Sequence, residues 1–224
     1  LVYNLANTDK TVVGLLTSAP IGGGFDPQTQ QPSEPWAIGE QAKQLLEVRT
    51  LPASVISIDE DVDVLWIVHP TMLDDGTLYA IDQFVMRGGR ALVFVDPNAE
   101  ILAGPDPSGL GIGGAASSST LGRLFDAWGV KFDRASVVAD NRYALSLSSR
   151  FQPIRHIGYL GLDGDAMSQT DPITSGLSSV NFAIAGHFEL AEGATAKLTP
   201  LATSRVESGA MPADRFQFLP DPEE

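Results

Sequence analysis

Residues 62–96, VDVLWIVHPTMLDDGTLYAIDQFVMRGGRALVFVD, carry the pattern from which the architecture follows. From Val62 to Val68 large apolar side chains run almost without interruption, which marks a strand covered on both faces rather than one alternating between core and solvent. In the middle, Leu78, Ile81, Phe84 and Val85 share one helical face. Acids stand near the start and Arg87-Gly88-Gly89 closes the pattern, so a helix with a complemented dipole and a glycine stop is expected. Ala91 to Asp96 then repeats the uncharged strand pattern. Strand, helix and strand at this spacing form a βαβ unit, and a strand buried on two faces demands a mostly parallel sheet with helices on both sides.

Toward the N-terminus, TVVGLLT from Thr11 reads as a buried strand leaving through the Gly- and Pro-rich loop SAPIGGGFDPQTQQPSEP. Ser33-Glu34-Pro35 opens WAIGEQAKQLLEV, where Trp36, Ile38, Ala42 and Leu45 or Leu46 recur at helical spacing behind a Ser cap, with Gly39 weakening the helix slightly. The string VISI, Val55 to Ile58, reads as the second strand, and an acidic turn follows it.

Toward the C-terminus, SSSTLGRLFDAWG supplies a Ser/Thr-capped helix ending at Gly129, and VKFD and SVVAD read as short strands. Beyond Asp140 helical periodicity stops: RYALSLSS, FQPIRHIGYLGL and VNFAIAGHFEL are strand-like, with turns at Gly161, Asp163-Gly164 and Gly186. The expected organisation is an α/β sandwich core over residues 1–140 and a β-rich C-terminal part of the same domain over 141–204. An irregular, frayed tail over 205–224 leads toward the rest of a longer chain, as does the start at Leu1 without Met.

Fourteen Lys plus Arg against 28 Asp plus Glu give a formal charge of −14, which argues against non-specific nucleic-acid binding. Cysteine is absent, excluding a disulfide scaffold, a thiolate zinc site and a cysteine nucleophile. No apolar run approaches the roughly 20 residues of a membrane helix.

Each glycine or acid motif meets a physical objection. GLGIGG, with Gly109, Gly111 and Gly114, matches the dinucleotide fingerprint, but PNAEILAGPDPS separates it from the strand it would have to leave directly, so a surface loop is favoured. Gly22-Gly23-Gly24 lacks the Lys-Ser/Thr of a phosphate loop. Asp59, Asp61 and Asp63 open like a calcium loop, yet Val64 stands where glycine is needed. His69, His156 and His187 are too scattered to propose a metal site. The turn after Asp96, DPNAE, offers no elbow nucleophile. No cofactor and no enzymatic activity are expected.

In combination, TVVGLLTSAPIGGGFDPQTQQPSEPW, LYAIDQFVMRGGRALVFVDPNAE, DPITSGLSSVNFAIAG and TPLATS resemble the extracytoplasmic domain of gliding-motility-type (GldG-like) auxiliary components of bacterial ABC transporters. The resemblance covers roughly Lys10 to Ser204. It implies a flavodoxin-like core similar to class I glutamine-amidotransferase-like domains. It also implies a membrane protein whose hydrophobic helices lie outside this chain, and a position on the periplasmic side of the cytoplasmic membrane.

The expected role is therefore a non-enzymatic interaction module whose partners are ABC-transporter membrane subunits or another extracytoplasmic protein. Solute or glycan binding is the alternative, and a hydrolase or amidotransferase-like enzyme comes last. In a doubly wound sheet the ligand crevice lies outside the carboxyl ends of the strands, which nominates Ser18, Gly22, Gly23, Gly24, Asp26, His69 and Pro70. A second candidate surface is basic: Lys131, Arg134, Arg142, Arg150 and Arg155. Set against the seven acids of residues 55–82, it suggests head-to-tail self-contact or docking of a charged partner.

Overall fold

The computed structural model describes residues 10–26, 31–102, 117–147, 153–204 and 207–216, without the side chains of Phe25, Asp26 and Gln31. It is a mixed α/β structure with a four-stranded parallel sheet, several antiparallel pairs and few helices. Two compact units make up the chain, residues 1–95 and 96–224. The change of character expected near Asp140 falls inside the second.

In the first unit, β1 (Val12–Thr17), β4 (Glu47–Thr50), β5 (Val64–Val68) and β6 (Arg90–Phe94) form a parallel sheet in the order β4-β1-β5-β6. β2 (Gly24–Asp26) and β3 (Gln31–Ser33) form an antiparallel hairpin between β1 and helix α1 (Ala37–Leu45). Helix α2 (Asp75–Met86) joins β5 to β6. The chain steps one way from β1 to β4 and the other way from β5 to β6, so right-handed crossovers place α1 and α2 on opposite faces. Two-sided burial holds for β5, where Leu65, Trp66 and Ile67 are all buried.

Both ends of α2 follow from sequence. The Asp74 carboxylate accepts from the Thr77 N–H at 2.7 Å, an N-cap that holds its pKa below the ordinary carboxylate value. At the other end Gly88 (φ +96°) and Gly89 donate to the Val85 and Phe84 carbonyls, both at 2.9 Å, in a Schellman stop.

VISI is not a strand: the partner of β1 is EVRT (β4), and residues 51–63 are an irregular link. Val55 and Ile58 are buried with Ile56 and Ser57 exposed between them, a spacing of three that no strand keeps, and that edge of β1 is already taken. In α1 the buried residue is Gly39, while Ile38 and Leu45 face solvent, and no side chain caps the helix at Trp36. Gly39 is a packing point rather than a weakness, because a Cβ there would enter the Ile21 carbonyl. β6 is an edge strand, and Phe94 is 51% exposed where burial on both faces was expected.

In the second unit, α3 (Arg123–Trp128) is N-capped by Gly122 rather than by a Ser or Thr side chain, and ends at left-handed Gly129. β7 (Val130–Lys131) pairs with β12 (Glu189–Leu190), and β8 (Ser136–Ala139) with β13 (Gly209–Pro212). A three-stranded antiparallel sheet runs β11-β10-β9, from Ser179–Ala183, Ile154–Asp163 and Ala144–Leu147. The turn expected at Gly161 is instead mid-strand in β10, where the missing Cβ leaves room for Leu145 of β9. Gly209–Pro212 is paired rather than frayed, and Phe216 beyond it joins Val137, Ala139 and Ile184 in a buried cluster. Composition missed this because the pairing partner lies some seventy residues upstream.

Candidate functional site

At the carboxyl ends of β1 and β5 the chain closes on itself through short hydrogen bonds. The Ser18 hydroxyl accepts from the Thr71 hydroxyl at 3.0 Å and from the Thr71 N–H at 3.4 Å, so both residues stand exposed at one spot. Beneath them His69 and Pro70 are buried. The His69 N–H donates to the Phe94 carbonyl at 2.9 Å, holding the exit of β5 against the end of β6. His69 has φ +49°, a left-handed backbone unusual for a side chain with a Cβ, and burial lowers its pKa, so the imidazole is held neutral. This spot can present hydroxyls to a ligand. Thr71, its second hydroxyl, carried no signal in the sequence beyond standing two residues after the strand-end histidine.

Ser18, His69 and Pro70 are thus gathered at one end of the sheet. The glycines instead neighbour Ser33, Pro35 and Lys43: Gly23 takes φ +83° and donates to the Pro20 carbonyl at 3.1 Å, turning the chain into the β2–β3 hairpin. Asp26 pairs through its backbone with Gln31.

The second unit holds a titratable cluster that sequence reasoning did not assemble. Asp96 is tied to Ser119: its N–H donates to the hydroxyl at 3.0 Å and its carbonyl accepts the Ser119 N–H at 2.8 Å. Burial raises the Asp96 pKa, partly offset by the Asn98 N–H. Glu100, in a single 3-10 turn (Glu100–Leu102), accepts from the Tyr159 hydroxyl of β10. Burial and that carboxylate raise the tyrosine pKa well above its usual value. The buried His156 ring meets Tyr159 edge-on at 4.7 Å and Phe216 at 5.7 Å, and its Nδ1 accepts the Gly158 N–H at 3.2 Å. Of these contacts the Tyr159–Glu100 bond joins loop to sheet.

Of the basic candidates, Arg142 and Arg155 come together: Arg155 donates to the Asn141 and Arg142 carbonyls, and Arg142 lies over the Tyr143 ring at 5.7 Å. Lys131 sits in β7 opposite Glu189, Arg134 is exposed in the turn that follows, and Arg150, like GLGIGG, lies outside the described residues. Two acids of the calcium-like run are also committed, Asp61 to Arg49 at 2.6 Å and Asp63 to the Val12 N–H at 2.8 Å. Among the described residues no group of three or more His, Cys, Asp or Glu could hold a metal ion, and no helix is long and apolar enough to cross a membrane.

A parallel α/β unit is thus followed by an antiparallel β-rich unit. The chain belongs to the family of ABC transporter auxiliary proteins described as "ABC-type uncharacterized transport system", whose model matches residues 10–224. No curated protein and no solved structure matches the chain.

Proposed function

We propose that this chain is the extracytoplasmic interaction module of an auxiliary membrane protein in an ABC transport system of the gliding-motility type, acting by binding rather than by catalysis. The observation that carries the reading is the family match, which runs through both units rather than through the α/β part alone. The polar residues at the strand ends support it, because they bond to one another, and no cysteine is present to act as nucleophile. Its partners are the membrane subunits of the transporter. Solute or glycan binding is the second reading, favoured by the left-handed backbone of buried His69 at the end of β5, since such strain gathers at ligand sites.

Because these 224 residues contain no cysteine, Glu40→Cys and Lys197→Cys in the full-length membrane protein report which side of the membrane the domain faces. Labelling by a membrane-impermeant maleimide in cells with a permeabilised outer membrane, together with retention of the transporter's ATP-binding and membrane-spanning subunits on purification, is the expected result. Labelling only after lysis, or no retention of either subunit, overturns the proposal.

A further inference from the structure

The first unit exposes a set of large apolar side chains on one side of α2. Ile56, Tyr79 and Met86 are 63% to 81% exposed, although the inward face of the same helix is fully packed through Thr77, Ala80, Ile81 and Phe84. Gly76, Tyr79, Gln83 and Met86 stand at i, i+3, i+7 and i+10, which aligns them in one stripe. Ile56 extends that stripe, since its Cγ2 lies 3.9 Å from where a Gly76 Cβ would be. The link that carries Ile56 is pinned along the helix: Thr77 Oγ1 donates to the Ala53 carbonyl at 3.2 Å, and Arg87 donates to the Ile58 and Asp59 carbonyls at 2.7 and 2.9 Å. The result is a ridge about 15 Å long at 1.5 Å per helical residue, whose apolar members are Ile56, Tyr79 and Met86, with the exposed Gln83 between the last two.

The rim of this ridge is acidic. Residues 55–82 hold Asp59, Glu60, Asp61, Asp63, Asp74, Asp75 and Asp82 and neither Lys nor Arg. Of these, Asp75 and Asp82 stand beside the stripe on α2, Asp74 caps its start, and Asp59 and Glu60 follow Ile58 in the pinned link, whereas Asp61 and Asp63 are bonded instead to Arg49 of β4 and to the Val12 N–H. An apolar centre built of Tyr, Met and Ile inside a charged rim is the layout of a protein interface. Its charge fixes the partner's sign.

We propose that the solvent face of α2, with Ile56, docks a basic amphipathic helix of a partner protein. This rests on the reading of the chain as an interaction module and names the chemistry of what it binds. A helix suits the surface because the backbone of α2 is internally hydrogen-bonded and offers no strand edge, leaving side-chain packing along a straight ridge. Lys and Arg flanking the apolar face of that helix would meet the acidic rim. A second copy presenting its own α2 would instead set Asp75 and Asp82 against their equivalents, a like-charge contact.

The test titrates the 224-residue chain with three synthetic peptides of about five helical turns: a Leu/Lys amphipathic helix, a scrambled peptide of the same composition, and a Leu/Glu amphipathic helix. The Leu/Lys helix is expected to bind about tenfold or more tightly than the scrambled peptide, with no saturable binding of the Leu/Glu helix. Ile56→Ser and Met86→Ser, both at exposed positions, should each weaken binding about fivefold or more while the circular dichroism spectrum and Tm stay unchanged. Equal affinity for amphipathic and scrambled peptides, or unchanged affinity in both variants, overturns the proposal. So does concentration-dependent self-association of the chain that either substitution abolishes, because a second copy would then cover the face. In the full-length protein, equal subunit retention by wild type and both variants sinks the docking surface but leaves the interaction-module reading standing. Loss of retention already in the wild type removes that reading, while the peptide result stands on its own.

Discussion

The Tyr159 hydroxyl donates to the Glu100 carboxylate across 59 positions of sequence, and this bond fastens the loop after β6 to the long strand β10. A phenol that is partly buried and bonded to an anion resists losing its proton, because ionisation would both desolvate a charge and set it against the carboxylate.

Tyr159 should therefore ionise well above pH 10 in an ultraviolet difference titration of the folded chain. Glu100→Gln removes the neighbouring charge and should bring that transition down, and Tyr159→Phe should abolish it at a cost of about 1 kcal/mol. The raised value also means that stability is complete below the unfolded value and falls as pH rises beyond it. A titration that Tyr159→Phe leaves unchanged above pH 10 would contradict the bond.

Ile67 and Phe94 offer a paired test of the sheet order. Ile67 is 0% exposed in a central strand, whereas Phe94 is 51% exposed at the edge. Ile67→Ala should cost about 2 to 5 kcal/mol, and Phe94→Ala less than about half as much. Equal losses in urea denaturation would place β6 inside the sheet.

At Gly39 propensity and packing point in opposite directions. Alanine would gain up to about 1 kcal/mol of helix propensity, but its Cβ would enter the Ile21 carbonyl, which is backbone and cannot swing aside. Gly39→Ala is expected to destabilise by about 1 to 3 kcal/mol. An increase in Tm would show that the α1–Ile21 approach is loose.

Burial lowers the pKa of both His69 and His156, so the unfolded chain binds protons that the folded chain refuses. Stability from these groups is present above the unfolded value of about 6.5 and is lost as pH falls below it. Asp96, whose pKa is raised by burial, acts in the opposite sense from about pH 4 upward. The urea midpoint should drop between pH 7.5 and 5.5, and His69→Gln with His156→Gln should flatten that drop. A midpoint independent of pH in the wild type would mean that neither imidazole is held neutral.

Much of the first unit was readable in local pattern. The Asp74 cap, the burial of Ile81 and Phe84 on α2 and the Gly88-Gly89 stop use residues within a few positions of each other, although Thr77 and Ala80 rather than the expected Leu78 and Val85 complete the buried face, and the apolar run of β5 specifies two-sided burial by itself. The candidate site was half readable: a doubly wound fold directs attention to strand ends, and Ser18 and His69 do stand there. The glycines of residues 22–24 had no fixed role in the sequence, because a Gly-rich loop looks the same whether it cradles a ligand or turns a hairpin; Gly23 does turn the chain into the β2–β3 hairpin.

Local sequence, then, determined the βαβ unit, its caps, the acidic balance and the lack of cysteine, since each depends on neighbours along the chain or on composition alone. Tertiary structure alone decided that EVRT rather than VISI pairs with β1, that Gly39 is a contact, and that residues 209–212 pair with β8. It alone joined Glu100 to Tyr159 and set Ile56 beside Gly76. Those outcomes turn on which edge is already occupied and which atoms approach from distant segments, quantities that hydrophobic periodicity does not encode.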